Sequence, residues 1–430
     1  MSCKNLMQRK ATSRSPWTFV PTLYFAEGVP YVIINTVSVI FYKELGIKNA
    51  QIALWTSFLY LPWVIKMFWS PIVDIYSTKR SWILYAQVTM VCCLSFVAFS
   101  FQTSNFFFFS LIGLIIGAFI SATHDIATDG FYLAALNKEE QAFFAGIRSF
   151  FYRAAIIFGS GFLVVLAGQL EVLLKNISLS WTISIGFSAL IFVMLSVFHW
   201  LILPRAERDL KQPPEPVTEK TPFWPVFTSY FSQEKIGAII AFILLYRFGE
   251  AMLIKLATPF LLDKKELGGL GLSTKDVGLA YGTLGIISLI LGGVLGGILV
   301  AKYGLKKSIW PMALAIHIPN VFYIYMAYVQ PSKAWVYLLV SLDQFGYGLG
   351  FTAFSVYLMY ISRGEYKTSH FAISTGLMAL GMMFPGLISG YIQQAFGYPI
   401  FFVLVFLLTI PGLITLFFIP LNEDRVLTTN

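Results

Sequence analysis

The stretch from Val73 to Ile83, VDIYSTKRSWI, returns in a second copy from Val300 to Trp310, VAKYGLKKSIW. Val, Tyr, Lys and Ser coincide when the two copies are aligned. The register continues outward on the N-terminal side, with LGIKNAQIAL over LGLSTKDVGL (from Leu45 and Leu270) and FAEG over FGEA (from Phe25 and Phe248). Such self-similarity indicates an internal duplication, and it predicts two structurally related halves.

The composition is that of a membrane protein. Of 430 residues, 57% are apolar and 12% are charged, whereas a soluble domain carries about 25% charged residues. The apolar residues form blocks of about 20, the length of an α-helix that crosses ~30 Å of hydrocarbon. This composition excludes soluble enzymes and, despite a net charge of +9, nucleic-acid-binding proteins. Three cysteines without metal-type spacing predict neither a disulfide framework nor a metal site, and we expect no cofactor.

The apolar blocks predict an all-α, polytopic protein with twelve transmembrane helices. They lie at about 18–41, 52–70, 82–101, 106–128, 143–167, 181–203, 237–262, 277–301, 309–329, 335–361, 371–395 and 399–420. Six prolines and many charges interrupt them between residues 204 and 235, a composition typical of a semi-rigid linker. We therefore expect an N-terminal half at 1–203, a linker at 204–235 and a C-terminal half at 236–430.

The end of the linker contains aromatic residues at helical spacing: Phe223, Trp224, Phe227, Tyr230 and Phe231. Two interpretations stay open, a helix on the inner surface or a Pro-rich linker with aromatics by chance.

Positive charge predicts the orientation. Lysines and arginines are more than twice as frequent in the loops and tails on the side of both termini as on the opposite side. Positive charge resists translocation, so both termini are expected in the cytoplasm. The N-terminal segment has no Ala-x-Ala-like cleavage site, and we expect its first span to be uncleaved.

Charged residues within the apolar blocks predict a functional site, because each costs at least ~2.5 kcal/mol at a span centre unless it is paired or hydrated. Glu27, Arg153, Arg247, Glu250 and Asp343 lie about 8 to 13 residues into their spans, near the bilayer midplane. We expect them to bind a small-molecule solute between the halves. Further candidates are Gly28, Tyr31, Asn35, Tyr152, Tyr246 and Gln344. The alternative is structural ion pairing, as Glu27–Arg153 or Glu250–Arg247.

A second set of residues fits proton transfer. Asp125 and Asp129 are one helical turn apart and project from one face. Two carboxylates within ~6 Å cannot both ionise cheaply, which predicts a proton carrier, with His124 as a relay candidate. The alternative is a helix-end network in which they bind Lys66 or Arg148.

Seven motifs carry a resemblance to a known family. They are FAEGVP (25–30), KMFWSPIVDIY (66–76), SATHDIATDG (121–130), FYR (151–153), LYRFGEAM (245–252), GLGFTAFSVYLM (348–359) and HFAISTGL (370–377). In this order they resemble the AmpG-type muropeptide permeases of the major facilitator superfamily, which are similar to its peptide and acetyl-coenzyme A transporter branch. Glu27 and His124 depart from the residues expected in that family.

The resemblance implies a major facilitator fold. It also implies proton-driven import of peptidoglycan fragments, such as anhydro-muropeptides or related amino sugars, across an inner membrane by alternating access. Asp74, with Lys79 and Arg80, resembles the superfamily's inner-gate loop between spans 2 and 3.

Two alternatives differ from this reading. One is a transporter of another solute, acetyl-coenzyme A or another sugar. The other is a membrane acyltransferase, because His124 and Asp129 match an H-x4-D pattern in which histidine deprotonates a hydroxyl. No second catalytic block accompanies that pattern. We therefore expect a transporter and not an enzyme.

Overall fold

A computed structural model describes residues 15–75, 77–136, 138–204, 223–362 and 367–421. Regular structure in these ranges is helical. The helices before residue 204 are α1 (Val20–Val32), α2 (Ser38–Glu44), α3 (Asn49–Phe58), α4 (Leu61–Ile65), α5 (Ser70–Ile75), α6 (Lys79–Ser100), α7 (Phe106–Ala135), α8 (Lys138–Ile156), α9 (Val164–Leu174) and α10 (Ile177–Ile202). Those after it are α11 (Phe223–Phe231), α12 (Ile236–Leu245), α13 (Phe248–Leu262), α14 (Thr274–Val277), α15 (Ile286–Tyr303), α16 (Leu305–His317), α17 (Asn320–Val329), α18 (Lys333–Ile361), α19 (Lys367–Leu407) and α20 (Ile410–Thr415).

Within the described residues, nine helical segments have the length and hydropathy to cross a membrane. The other predicted spans are present in broken, less apolar or fused form. Span 2 is divided among α3, α4 and α5, and span 10 is α18. Spans 11 and 12 share the segment His370–Thr415, which bends at Gly397 where φ is 72°, a conformation that glycine adopts without steric cost.

Three segments of π-helix interrupt otherwise regular spans. They lie at Ile33–Val37, at Ile157–Leu163 and at Gly278–Gly285. Each connects two α-helices of the same span. π-Helical turns are rare and occur frequently at functional positions.

The described chain forms two compact units. Unit 1 contains the residues up to Ile34, Ile65–Gly159 and those from Ser178 to Pro204. Unit 2 contains Asn35–Val64, Ser160–Ile177 and the residues from Phe223 onward. The chain passes from unit 1 to unit 2 within the first and second π-helical segments. The domain boundaries 1–203, 204–235 and 236–430 stay a prediction, and residues 205–222 of the linker lie outside the described residues.

The aromatic end of the linker is helical, as α11. Tyr230 is buried against α19, and its hydroxyl shares a 2.8 Å hydrogen bond with the Ser374 hydroxyl. Ser229 and His370 make a second contact between the same helices, at 2.9 Å. The segment is therefore helical and its buried tyrosine packs on protein, while its position on the inner surface stays a prediction.

Candidate functional site

Unit 1 contains an N-terminal charge cluster, which we define as Glu27, Lys66, Asp125, Asp129 and Arg148. The Lys66 ammonium lies 3.5 Å from the Asp125 carboxylate, and the Arg148 guanidinium lies 3.3 Å from Asp129. The Tyr24 hydroxyl donates to Asp129 at 2.8 Å and accepts from Arg148 at 3.1 Å. The sequence alternative of a network with Lys66 and Arg148 is therefore present. The proton-carrying role of Asp125, Asp129 and His124 stays a prediction.

His124 belongs to a chain of buried hydrogen bonds. The Gln87 side-chain amide donates to His124 Nε2 at 3.0 Å, and Gln87 also contacts His199 Nδ1 at 2.9 Å. His199 Nε2 lies 2.9 Å from the Thr22 hydroxyl. Gln87 thus joins α6 to α7 and α10, a contact that its isolated position in the sequence did not predict.

The remaining N-terminal candidates lie along α1 and α8. Glu27 is buried, and its Oε2 has no hydrogen-bond partner among the described residues. Gly28 allows the two helices to approach, because an added Cβ would lie 2.7 Å from the Ala155 Cβ. The Tyr31 and Tyr152 rings are 6.1 Å apart. Arg153 lies next to Tyr152 on α8, and buried Asn35 belongs to unit 2.

The predicted gate residues make helix-end contacts. Arg80 donates to the carbonyl oxygens of Leu203 at 3.0 Å and Trp200 at 2.7 Å, the last turn of α10. The Lys79 side chain packs over Gly130 of α7. The Asp74 side chain lies outside the described residues. The structure thus gives Arg80 a capping contact, and the gating role of the three residues stays a prediction.

Unit 2 contains a C-terminal charge cluster, defined as Arg247, Glu250 and Asp343. Arg247 lies in a helix break between α12 and α13, with φ −109° and ψ 16°. Its guanidinium donates to the Tyr347 hydroxyl, and its Cζ is 5.2 Å from the Tyr347 ring centre and 4.9 Å from that of Phe351. Arg247 Nε has no hydrogen-bond partner in the described part of the chain.

Glu250 follows in the first turn of α13, where the positive end of the helix dipole favours an acidic side chain. It is only 1% exposed, and neither carboxylate oxygen has a hydrogen-bond partner among the residues described. The predicted Glu250–Arg247 ion pair is therefore wrong in this structure. Asp343, also 1% exposed, accepts from the Tyr323 hydroxyl at 3.4 Å and from the Gln344 amide at 3.2 Å.

Tyr246 has a different environment from its neighbour Arg247. It is wholly buried in the hydrophobic core of unit 2, and its ring stacks on Phe354 with 5.0 Å between centres. Its hydroxyl donates to the Gly350 carbonyl at 3.2 Å. These contacts make Tyr246 a packing residue in this structure, and its solute-binding role stays a prediction. Tyr323 and Tyr347 were not among the predicted site residues, because nothing in the sequence distinguishes them from the other tyrosines.

A second polar assembly in unit 2, the 43–263 junction, consists of Lys43, Asn49, Asp263, Gln393 and Tyr398. The Lys43 ammonium lies 2.5 Å from Asp263, which also accepts from the Tyr398 hydroxyl at 2.6 Å. The Asn49 amide lies within hydrogen-bond distance of Asp263, Gln393 and Tyr398. The junction connects residues near the first loop of the chain with the end of α13 and with the part of α19 around its bend at Gly397. Sequence analysis did not find it.

Among the described residues, Arg247 and Glu250 of the C-terminal charge cluster lack partners of opposite charge within ion-pair distance. Guanidinium cannot lose its proton, so a buried arginine needs an acceptor in every state. Such a cluster has the chemistry to bind an acidic group and a proton. No group of three or more His, Cys, Asp or Glu side chains in the described ranges is placed to hold a metal ion.

Comparisons with known proteins agree with the fold. The family model of the Major Facilitator Superfamily matches residues 22–384. The chain is 25% identical to a Rickettsia felis protein named as a candidate transporter, AmpG 4, over 92% of this chain and 94% of that protein. It is 24% identical to the anhydromuropeptide permease of Escherichia coli K12, over 92% of this chain and 77% of that protein.

Among solved structures, the nucleoside transporter NupG superposes with a TM-score of 0.70 at 16% identity, covering 93% of this chain and 96% of that one. This likeness concerns the fold alone. The predicted multi-pass, all-helical architecture is confirmed, and so is the expectation of a transporter, which removes the acyltransferase alternative. The chain belongs to the Major Facilitator Superfamily, and it is a secondary transporter of a small solute.

Proposed function

We propose that the protein imports peptidoglycan fragments, anhydro-muropeptides or related amino sugars, across an inner membrane with protons and by alternating access. Two relatives matched over nearly the whole chain are named for AmpG or for anhydromuropeptide transport, which supports the solute class. The observation that carries the proposal is the C-terminal charge cluster. Among the described residues, Arg247 contacts the Tyr347 hydroxyl and two aromatic rings, and the Glu250 carboxylate has no hydrogen-bond partner.

The chemistry of import follows from this cluster. An acidic group of the solute binds the Arg247 guanidinium, whose planar fork matches a carboxylate. Glu250 carries the coupling proton, because a carboxyl group at this depth without a donor fits the site best as the neutral acid. Solute anion and proton then cross together, and the buried site gains no net charge.

Alternating access requires a closed barrier on one side at a time. The 43–263 junction fits the outer barrier, since it joins residues 43–49 to the C-terminal helices by charged and polar contacts. With both termini in the cytoplasm, these loops face outward. A topology reporter fused after Lys175 should read periplasmic and one after Lys220 cytoplasmic. The reverse result would invert the orientation.

Uptake into membrane vesicles tests the solute class. Labelled anhydro-muropeptide, N-acetylmuramic acid, N-acetylglucosamine and acetyl-coenzyme A are offered with an imposed pH gradient. We expect accumulation of the peptidoglycan fragments, and its loss when a protonophore collapses the gradient. Accumulation of acetyl-coenzyme A alone would favour the alternative solute. Accumulation that follows a sodium gradient and ignores pH would reject proton coupling.

A further inference from the structure

Lys255 is a buried lysine in the middle of α13. It is 5% exposed, and its ammonium donates to the Thr56 carbonyl oxygen at 3.0 Å and to the Thr56 hydroxyl at 3.3 Å. The Tyr60 ring centre lies 5.6 Å away. All of these partners are neutral. Among the described residues, no carboxylate lies within 4.0 Å of this ammonium.

The Thr56 carbonyl is available because span 2 breaks at this point. α3 ends at Phe58. The Tyr60 amide donates to the Ser57 carbonyl oxygen at 3.1 Å, whereas in a continuing α-helix it would donate to the Thr56 carbonyl oxygen. Pro62 follows in α4 and has no amide hydrogen to donate. The freed carbonyl carries the partial negative charge of a helix C-terminus. The Lys255 side chain is therefore stabilised by the partial negative charge of the Thr56 carbonyl oxygen.

Lys43 shows what a fully compensated lysine looks like in the same unit. Its ammonium lies 2.5 Å from the Asp263 carboxylate, with Asn49 as a further partner. Each lysine contacts a residue of the other sequence repeat. Lys43, in the first repeat, contacts Asp263 in the second, and Lys255, in the second repeat, contacts Thr56 in the first. Only Lys255 lacks a carboxylate within ion-pair distance, so the charge that would balance it is one that the described chain does not supply.

The position of Lys255 relates it to the solute. It follows Arg247 by eight residues on span 7, about 12 Å along the helix axis and roughly 80° around it. Both residues lack an acidic partner among the described residues, and both lie on the same span.

We infer that Lys255 is a second anion-binding residue of the transport site, and that the preferred solute carries two acidic groups, one for Arg247 and one for Lys255. This inference rests on the proposed function. Arg247 binds one acidic group. The other acidic group binds Lys255 when the 43–263 junction opens and α3 withdraws, and it replaces the Thr56 carbonyl as the partner of the ammonium. When the solute has left, the ammonium returns to Thr56.

Uptake kinetics of three probes test the inference. Anhydro-muropeptide carries acidic groups on its peptide, N-acetylmuramic acid carries one, and N-acetylglucosamine carries none. We expect Lys255→Met to raise the KM for the anhydro-muropeptide at least tenfold and to change that of the two monosaccharides less than threefold. Lys255→Arg keeps the charge and should keep the preference for the peptide-bearing probe.

Lys43→Met is the matched control, because it removes a lysine that has its own carboxylate. It should change the kinetics of all transported probes by the same factor. A Lys255→Met protein with unchanged kinetics for the anhydro-muropeptide overturns the inference, and so does an equal loss for every probe. If the wild-type protein accumulates none of the probes, the proposed solute class fails, and the inference fails with it. An active wild type with an unaffected variant refutes the inference alone.

Discussion

In the N-terminal charge cluster both aspartates contact a cation, Lys66 at 3.5 Å and Arg148 at 3.3 Å. In the C-terminal charge cluster Arg247 contacts a tyrosine hydroxyl and two rings, and the Glu250 oxygens contact no donor among the described residues. The two aspartates of the N-terminal cluster are thus paired with cations, whereas Glu27 Oε2 has no hydrogen-bond partner among the described residues. In the described part of the chain, Arg247 and Glu250 of the C-terminal cluster have no such ion pair, and the solute-binding role proposed for them rests on this difference.

The internal duplication allows the two charge clusters to be compared residue by residue. Glu27 and Glu250 occupy equivalent positions in FAEG and FGEA, and the residue three places earlier is Tyr24 in one copy and Arg247 in the other. Tyr24 links Asp129 to Arg148, whereas Arg247 points to aromatic rings. The residue type at this equivalent position therefore differs between the cluster with ion pairs and the cluster for which solute binding is proposed.

The largest effect is expected for Glu250→Gln. An amide keeps the shape of the side chain and cannot take up a proton, so gradient-driven accumulation should be abolished while solute exchange without a gradient persists. Counterflow and accumulation are measured in the same proteoliposomes.

Asp125→Asn tests the N-terminal cluster in parallel. Because Lys66 already contacts this carboxylate, we expect accumulation to persist at a rate within about tenfold of wild type. The reverse pattern, with Glu250→Gln accumulating and Asp125→Asn not, would move the proton carrier to the N-terminal cluster, as the sequence predicted.

A smaller effect is expected for Arg247→Lys, which keeps the charge and loses the planar fork. The KM for N-acetylmuramic acid should rise about tenfold, with N-acetylglucosamine nearly unaffected. Arg153→Lys, on α8, is the matched variant for the other half. Equal losses of acidic and neutral probes in both variants would show that the arginines act only in structure.

Gln87→Leu probes stability more than transport. The change leaves His124 and His199 without their shared partner, at a cost of about 1–3 kcal/mol in the free energy of unfolding. Thermal unfolding of the purified protein measures it. Selectivity among the three probes should be unchanged; altered selectivity would place this network in the transport site.

The smallest effect is expected at the half-exposed Arg148–Asp129 pair. A double-mutant cycle with Arg148→Met and Asp129→Asn should give a coupling of about 0.2–1 kcal/mol, as for other solvated pairs. A coupling of several kcal/mol would mean that this pair is a main element of the unit's stability.

Sequence reasoning found the spans and the buried charges, because both depend on the contrast between a residue and its apolar neighbours. Glu250 and Asp343 stand out in this way. Partners were harder to predict. Lys43 and Asp263 are far apart in sequence and lie near span ends, where charge is ordinary. The hydropathy pattern also did not predict that span 2 is divided into three short helices. The apolar block continues through Pro62, and the break is visible only in the backbone hydrogen bonds.

The π-helical segments at Ile33–Val37 and Ile157–Leu163 have a consequence for how rotation is distributed along a span. A π turn holds one residue more than an α turn, and each residue of an α-helix corresponds to about 100° of rotation. If such a turn tightens to α-helical register, everything beyond it revolves by about that angle at the cost of few hydrogen bonds. The chain changes compact unit inside both segments, so a change of helical register at either one would rotate one end of the span while the other end kept its packing partners.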